Sequence, residues 1–194
     1  MESINIKKAT TDHPIHELIC SRWSARSFSE KAIWQEDLET LLAAASWAFS
    51  ANNGQPWRYV YAHHSDTEAF QKIWSCLMPG NQPWCANAAV LMVSLMRKQF
   101  DNGKPNATAM HDLGAANATL MLQAISMSIY GHPMAGFDRE KTIEALGLDT
   151  DLVEPVAFIA LGYLDEADKL EEPFKTRELT PRTRKSLGEF TERL

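Results

Sequence analysis

The segment SRWSARSFSE, residues 21–30, places two arginines and a serine at alternate positions. In an extended chain successive side chains point to opposite faces, so Arg22, Ser24 and Arg26 share one face and Trp23, Ala25 and Ser27 the other. Two guanidinium groups and a hydroxyl on one face suit an anion with several oxygens, because each guanidinium is a planar fork of N–H donors. A solvated basic turn has the same composition. The whole chain sharpens the choice: 19 Lys and Arg stand against 25 Asp and Glu, for a formal net charge of −6. An acidic chain is a poor general partner for nucleic acid or an anionic membrane. Any anion it binds must be held by a local cationic cluster.

Three other stretches carry chemistry. SANNGQPWRY, residues 50–59, is rich in amides, with Asn52, Asn53 and Gln55 close together. Amides both donate and accept, which suits a heterocycle edge bearing C=O and N–H groups. Pro56 biases Gln55 toward extended backbone. GHPMAGFD, residues 131–138, reads as a loop whose Gly131, Pro133 and Gly136 let backbone approach a flat ligand closely. FKTRELTPRTRK, residues 174–185, is cationic again. Taken singly, these are a turn, a loop and a surface charge run.

Other chemistries leave no trace. There is no GxGxxG after a strand, no P-loop and no GxSxG elbow. His13 and His16 have helical spacing but no carboxylate or cysteine set beside them, so no metal site is expected, and His63, His64 and His111 read as surface or core histidines. Cys20, Cys76 and Cys85 are odd in number and widely spaced, which makes neither a disulfide framework nor a CxxC site and fits a reducing cytoplasm. The first residues show no apolar stretch of signal-peptide length, and no run approaches the ~18 apolar residues of a membrane span.

The elements that must position these stretches read as mixed helix and strand. With 194 residues, 45% hydrophobic and 23% charged, the chain fits one α+β domain, residues 1–194, whose last part from about 165 turns charged and proline-punctuated like an arm. A first helix is expected near Pro14, capped by Asp12 or His13, with Ile15, Leu18 and Ile19 as its apolar stripe. Leu38, Leu41, Leu42 and Ala45 mark a second helix over 35–48. Trp34 is a weak cap there, and an Ile33–Leu38 staple replaces it. A third helix is expected over 65–77 and a long one over 107–130, with Met110, Leu113, Asn117, Leu120, Met121, Ala124 and Ile125 on a broad face. Gly114, Ala115, Ala116 and Ala118 keep that helix slim, so another backbone can pack close. Strands are expected from Arg58, over 88–96 and over 155–164.

In this order the stretches resemble the FMN-dependent nitroreductase family. LICSRWSARSF resembles its opening helix and Arg-x-Ser-x-Arg-x-Phe; SANNGQPW resembles its Ser-x-x-Asn-x-Gln-Pro-Trp signature; DLGAANATLMLQA, GHPMAGFD and VAFIALGYL followed by KTR resemble its central helix, flavin-edge loop, last core strand and cationic tail. The likeness runs from about residue 15 to 180. It implies a mixed sheet covered by helices, in a homodimer whose C-terminal arm is exchanged between subunits. Arg22 and Ser24 match residues for the FMN ribityl-phosphate, Trp23 adds backbone contact, and Arg26 matches a cation near the flavin pyrimidine edge. Ser50, Ala51, Asn53 and, in the same loop, Gln55 match residues that reach the other subunit's flavin. Pro133, Met134, Ala135 and Gly136 match the segment covering the flavin, and Lys175 and Arg177 the second half of the phosphate clamp, with Arg182 and Arg184 as rivals for that role. Phe49 stands where the family has proline, on the substrate-side wall. The implied reaction is ping-pong hydride transfer from NADH or NADPH through FMN to a nitroaromatic, quinone or enone. The alternatives are another flavin reaction on the same fold, such as reductive dehalogenation or flavin-consuming chemistry, and a non-catalytic flavin-binding protein.

Overall fold

The computed structural model describes residues 1–194. Its elements in chain order are helices α1 (Glu2–Lys7), α2 (Glu17–Ser21) and α3 (Gln35–Ser46), strand β1 (Trp57–His63), helices α4 (Thr67–Trp74) and α5 (Gln82–Cys85), strand β2 (Val90–Arg97), helix α6 (Ala109–Ser126), strand β3 (Tyr130–Met134), helix α7 (Arg139–Leu146), strand β4 (Val153–Gly162) and helix α8 (Phe174–Glu178). No helix is long and apolar enough to cross a membrane.

Period-two alternation in β2 and β4 sets the architecture. Leu91, Val93 and Leu95 of β2 join Phe158 and Ala160 of β4 in one apolar cluster, while Val90 and Met92 join Ile159 and Leu161 in another. Strands apolar on both faces need a layer on each side. Leu38, Leu41 and Ala45 of α3, with Leu113, Ala116, Leu120 and Ala124 of α6, cover one face. Phe70 and Ile73 of α4, Trp84 and Cys85 of α5, and Trp23, Ala25 and Phe28 cover the other.

The sheet order is β1-β2-β4-β3, and every neighbouring pair is antiparallel. This corrects the expectation of a mixed sheet. β2 and β3 do run in the same direction, joined by α6 as a crossover, but β4 inserts between them and pairs antiparallel with both. A buried polar relay marks the bulge between Ser94 and Leu95. Ser94 Oγ donates to the Ala157 carbonyl at 3.0 Å, Asn117 Nδ2 donates to Ser94 Oγ at 3.3 Å, and the Tyr59 hydroxyl donates to Asn117 Oδ1 at 2.9 Å. Burial holds the Tyr59 phenol well above its ordinary pKa.

Several helix boundaries differ from the pattern of the sequence. The helix expected near Pro14 starts later, as α2, and is capped by His16 rather than Asp12 or His13, its Nδ1 accepting the Leu18 amide at 3.2 Å; α1 is a separate helix that the pattern did not signal. Ile15 and Ile19 stay exposed, so that stripe finds no cover within the chain. The staple stands: Trp34 makes no side-chain cap, and Ile33 and Leu38 are buried in one cluster. Helix α6 is shorter at both ends than expected, and Met110 lies outside its buried face. Gly114 has open space where a Cβ would stand.

Candidate functional site

Arg22 ends α2 with extended backbone, φ −76° and ψ 124°, so the chain leaves the helix directly into the alternating segment. Trp23 and Ala25 are buried, and Arg22, Ser24 and Arg26 lie half-buried on the opposite side, as alternation requires. Residues 27–29 are tied along 163–165: Ser29 donates to the Tyr163 carbonyl at 2.9 Å, and Asp165 donates to the Ser27 carbonyl at 3.0 Å. From the next strand, His132 Nδ1 lies 3.0 Å from the Ala25 carbonyl. A carbonyl only accepts, so Nδ1 carries the proton. Burial, then the Arg26 charge, pulls the His132 pKa down to about 4, so the ring is neutral at pH 7.

A cleft of about 920 Å³ opens beside this segment, between the loop after α1 and the C-terminal arm. Arg22, Arg182, Arg184 and Lys185 line it on the cationic side, with Thr10, Thr11 and Asp12 from the loop after α1. Arg182 reaches back with both terminal nitrogens to the carbonyls of Cys20 and Arg22. Its Nε is buried without a partner, and so is the Nε of Arg26. None of Arg22, Arg182 and Arg184 is paired with a carboxylate. Besides burial, the charge acting on Arg22 is Arg184, and the main charges on Arg182 are Arg22 and Arg184; all push the guanidinium pKa values down. Guanidinium groups stay charged regardless, so with Arg22, Arg182, Arg184 and Lys185 against Asp12 alone the cleft carries an excess of positive charge.

Of the two rival pairs in the tail, the structure brings Arg182 and Arg184 to Arg22 and leaves Lys175 away from it. Lys175 lies 2.5 Å from Asp168, and Arg177 is exposed, 5.9 Å over the Phe174 ring, with its charge felt by Arg26. The sequence could not rank the pairs because spacing is equal in both. The direction of the arm decides it. That arm folds back on its own chain's first residues: Lys7 Nζ donates to the carbonyls of Arg177 and Thr180, both at 2.6 Å. Within this one chain the segment from Arg177 to Arg182 is thus docked against α1 and α2.

Trp23 contributes more than backbone. Its ring packs 4.5 Å from the Tyr130 ring, and its Nε1 donates to Glu178 at 3.0 Å. The expected flavin-edge loop is partly an edge strand: Pro133 and Met134 end β3, where a proline without an N–H is tolerated. Met134 is buried, with its sulfur 3.6 Å from Cys85 Sγ. The Gly136 carbonyl accepts from Asn81 Nδ2 at 2.9 Å, while the Ala135 and Gly136 amides make no hydrogen bond within the chain.

Ser50, Ala51, Asn53 and Gln55 sit at the start of α6. Asp112, buried in the first turn, accepts the Ala51 amide at 3.0 Å. Ser50 Oγ accepts the Gln55 amide at 3.1 Å, and Asn52, Asn53 and Gln55 all take positive φ. No hydrogen bond or ion pair joins this loop to Arg22, Ser24 or Arg26 within one chain. Sequence reasoning missed Asp112, His132, Glu178 and Lys7. Their partners lie 61 to 173 residues away, so no local spacing signals them. No group of three side chains could hold a metal ion.

The fold is an antiparallel α+β domain whose extended Arg-x-Ser-x-Arg segment begins at a cleft lined by Arg22, Arg182, Arg184 and Lys185, with Asp12 as its one carboxylate. The model of the Nitroreductase family matches residues 19–77 and 75–163, and the chain belongs to that family. A solved structure described as an oxidoreductase containing FMN is 36% identical, with a TM-score of 0.88 over 94% of this chain and 93% of that one. A protein of Archaeoglobus fulgidus, provisionally named an NADH dehydrogenase/NAD(P)H nitroreductase, is 29% identical over 80% of this chain and 88% of its own length. A provisionally named nitroreductase of Desulfovibrio desulfuricans, solved in complex with FMN, shares the fold at 21% identity, with a TM-score of 0.73 over 95% of this chain and 99% of that one.

Proposed function

We propose that this chain is an FMN-dependent NAD(P)H oxidoreductase acting on a nitroaromatic, quinone or enone in a ping-pong cycle. One observation carries the reading: Arg22, Arg182 and Arg184 converge on one cleft, none of them is ion-paired, and Asp12 is the only carboxylate in its lining. Half-buried guanidinium groups without an ion-pair partner are costly, and a phosphate monoester supplies both charge and acceptor oxygens. The unpartnered Nε atoms of Arg26 and Arg182 and the free amides of Ala135 and Gly136 are donors in want of an acceptor, as a flavin mononucleotide site needs. The FMN-containing relative at 36% identity supports the choice of cofactor.

In this reading Arg22, Ser24 and Arg184 hold the phosphate and ribityl hydroxyls, and Arg182 fastens the segment that carries them. Lys185 adds charge at the rim, and Lys175 and Arg177 stand outside the clamp. Arg26 presents positive charge toward the pyrimidine edge, where it stabilises developing negative charge. His132 stays neutral and adds no second cation beside it. Pro133, Met134, Ala135 and Gly136 would lie along the ring edge, with the unpartnered Ala135 and Gly136 amides as the N–H donors. Held by these residues, FMN would supply hydride-transfer chemistry between a nicotinamide and the acceptor.

The reading includes a homodimer in which Ser50, Ala51, Asn53 and Gln55 of one copy complete the cleft of the other. Trp47 at 88%, Phe49 at 69% and Met110 at 56% exposure form an apolar surface around that loop, as a subunit interface requires. The test is the visible spectrum of the purified protein. A flavin spectrum that identifies as FMN on extraction and bleaches with NADH or NADPH supports the reading. A colourless protein that takes up no added FMN overturns it.

A further inference from the structure

Residues 1–18 and 164–194 lie outside the part of the chain that the family model matches, yet they meet at the back of the cleft. Glu178 of α8 is 1% exposed. Its Oε1 accepts the Trp23 indole N–H at 3.0 Å, and its Oε2 accepts the Arg26 amide at 3.2 Å. The two donors bracket Ser24, so one carboxylate fixes the backbone on which Arg22, Ser24 and Arg26 are strung. Lys7, 8% exposed at the end of α1, donates to the carbonyls of Arg177 and Thr180. These carbonyls stand on either side of Glu178 and just before Arg182. Arg182 in turn donates to the carbonyls of Cys20 and Arg22. The contacts close a ring: α1 holds the arm, the arm holds the Arg-x-Ser-x-Arg segment, and both halves of the cationic cleft are fixed relative to each other.

We propose that Lys7 and Glu178 are positioning residues for the phosphate clamp, a latch made from the two ends of the chain that sets the spacing between Arg22 and Arg184. Neither touches the cleft. The Glu178 carboxylate acts on both the Lys7 ammonium and the Arg26 guanidinium, so these opposite charges offset one another's burial and tie the arm electrostatically to α1 and to the Arg-x-Ser-x-Arg segment. Like-charged guanidinium groups also repel, so the empty clamp tends to spread. A latch that opposes this spreading keeps the clamp ready for its anion. The inference rests on the FMN reading.

The test compares FMN with riboflavin, which has the same ring and ribityl chain but no phosphate. Apo protein is titrated with each by fluorescence, for the wild type, Glu178→Gln and Lys7→Met; the second variant keeps an apolar stem and removes only the donors. The latch predicts that each variant loses about tenfold more affinity for FMN than for riboflavin, the scale of one charged hydrogen bond to the phosphate. The FMN-to-riboflavin preference then falls about tenfold. General loosening of the fold lowers both affinities alike and overturns the proposal, as does a preference equal to that of the wild type in Lys7→Met. A wild type with no preference for FMN over riboflavin instead defeats the underlying cofactor reading.

Discussion

Asp112 Oδ2 accepts the Ala51 amide at 3.0 Å, so the first turn of α6 carries the amide-rich loop across 61 residues of sequence. The same oxygen accepts from Thr108 Oγ1 at 3.3 Å, and Oδ1 lies 3.1 Å from His111 Nδ1. Asp112→Ala leaves the Ala51 donor unmatched and unties the loop. It should destabilise the fold by about 2 kcal/mol, the cost of orphaning a hydrogen-bond donor next to a lost charge. Urea denaturation measures this, and a wild-type midpoint would show that the loop holds itself.

The two cationic pairs of the tail separate by affinity. Arg184→Ala and Arg22→Ala should each weaken FMN binding by about 1.5–3 kcal/mol, the worth of a charge-assisted hydrogen bond. Lys175→Ala, which loses only the contact with Asp168, should bind FMN like the wild type. Titration of apo protein decides between them, and the reverse order would return the clamp to Lys175 and Arg177.

His132 gives the fold a pH dependence of known sign. Its pKa is near 4 folded against 6.5 in the unfolded chain, so between these values the unfolded state binds more protons. Stability from this group is complete above pH 6.5 and is lost as pH falls toward 4, by up to about 3 kcal/mol. Unfolding free energies at pH 7 and pH 5 should show the loss. His132→Asn should flatten that slope, and an unchanged slope would assign it to other groups.

Gly114 tests the dimer. A Cβ there meets nothing within 4 Å in the chain, so a larger side chain fits the monomer. Gly114→Leu should leave the fold intact, since glycine is the poorer helix former by about 1 kcal/mol. It should instead push apart two copies packed on that face. Light scattering should show the wild type at twice 21.8 kDa and the variant dissociating toward 21.8 kDa. A wild type at 21.8 kDa with FMN bound would remove the shared-site model.

The sequence by itself determined what depends on period and neighbour. Alternation placed Arg22, Ser24 and Arg26 on one face, and the apolar runs marked β2 and β4 and the buried stripes of α3 and α6. These are short-range properties, fixed by backbone geometry within a few residues. Other features were decided only by tertiary structure. The sheet is wholly antiparallel because β4 inserts between β2 and β3, a matter of strand order that no strand encodes alone. Arg182 and Arg184, rather than Lys175, reach Arg22 because the arm is turned by contacts from Lys7 and Glu178. Those buried charges look like ordinary surface residues in sequence. They became buried because their partners, more than 150 residues away, satisfy their hydrogen bonds only once the chain has folded.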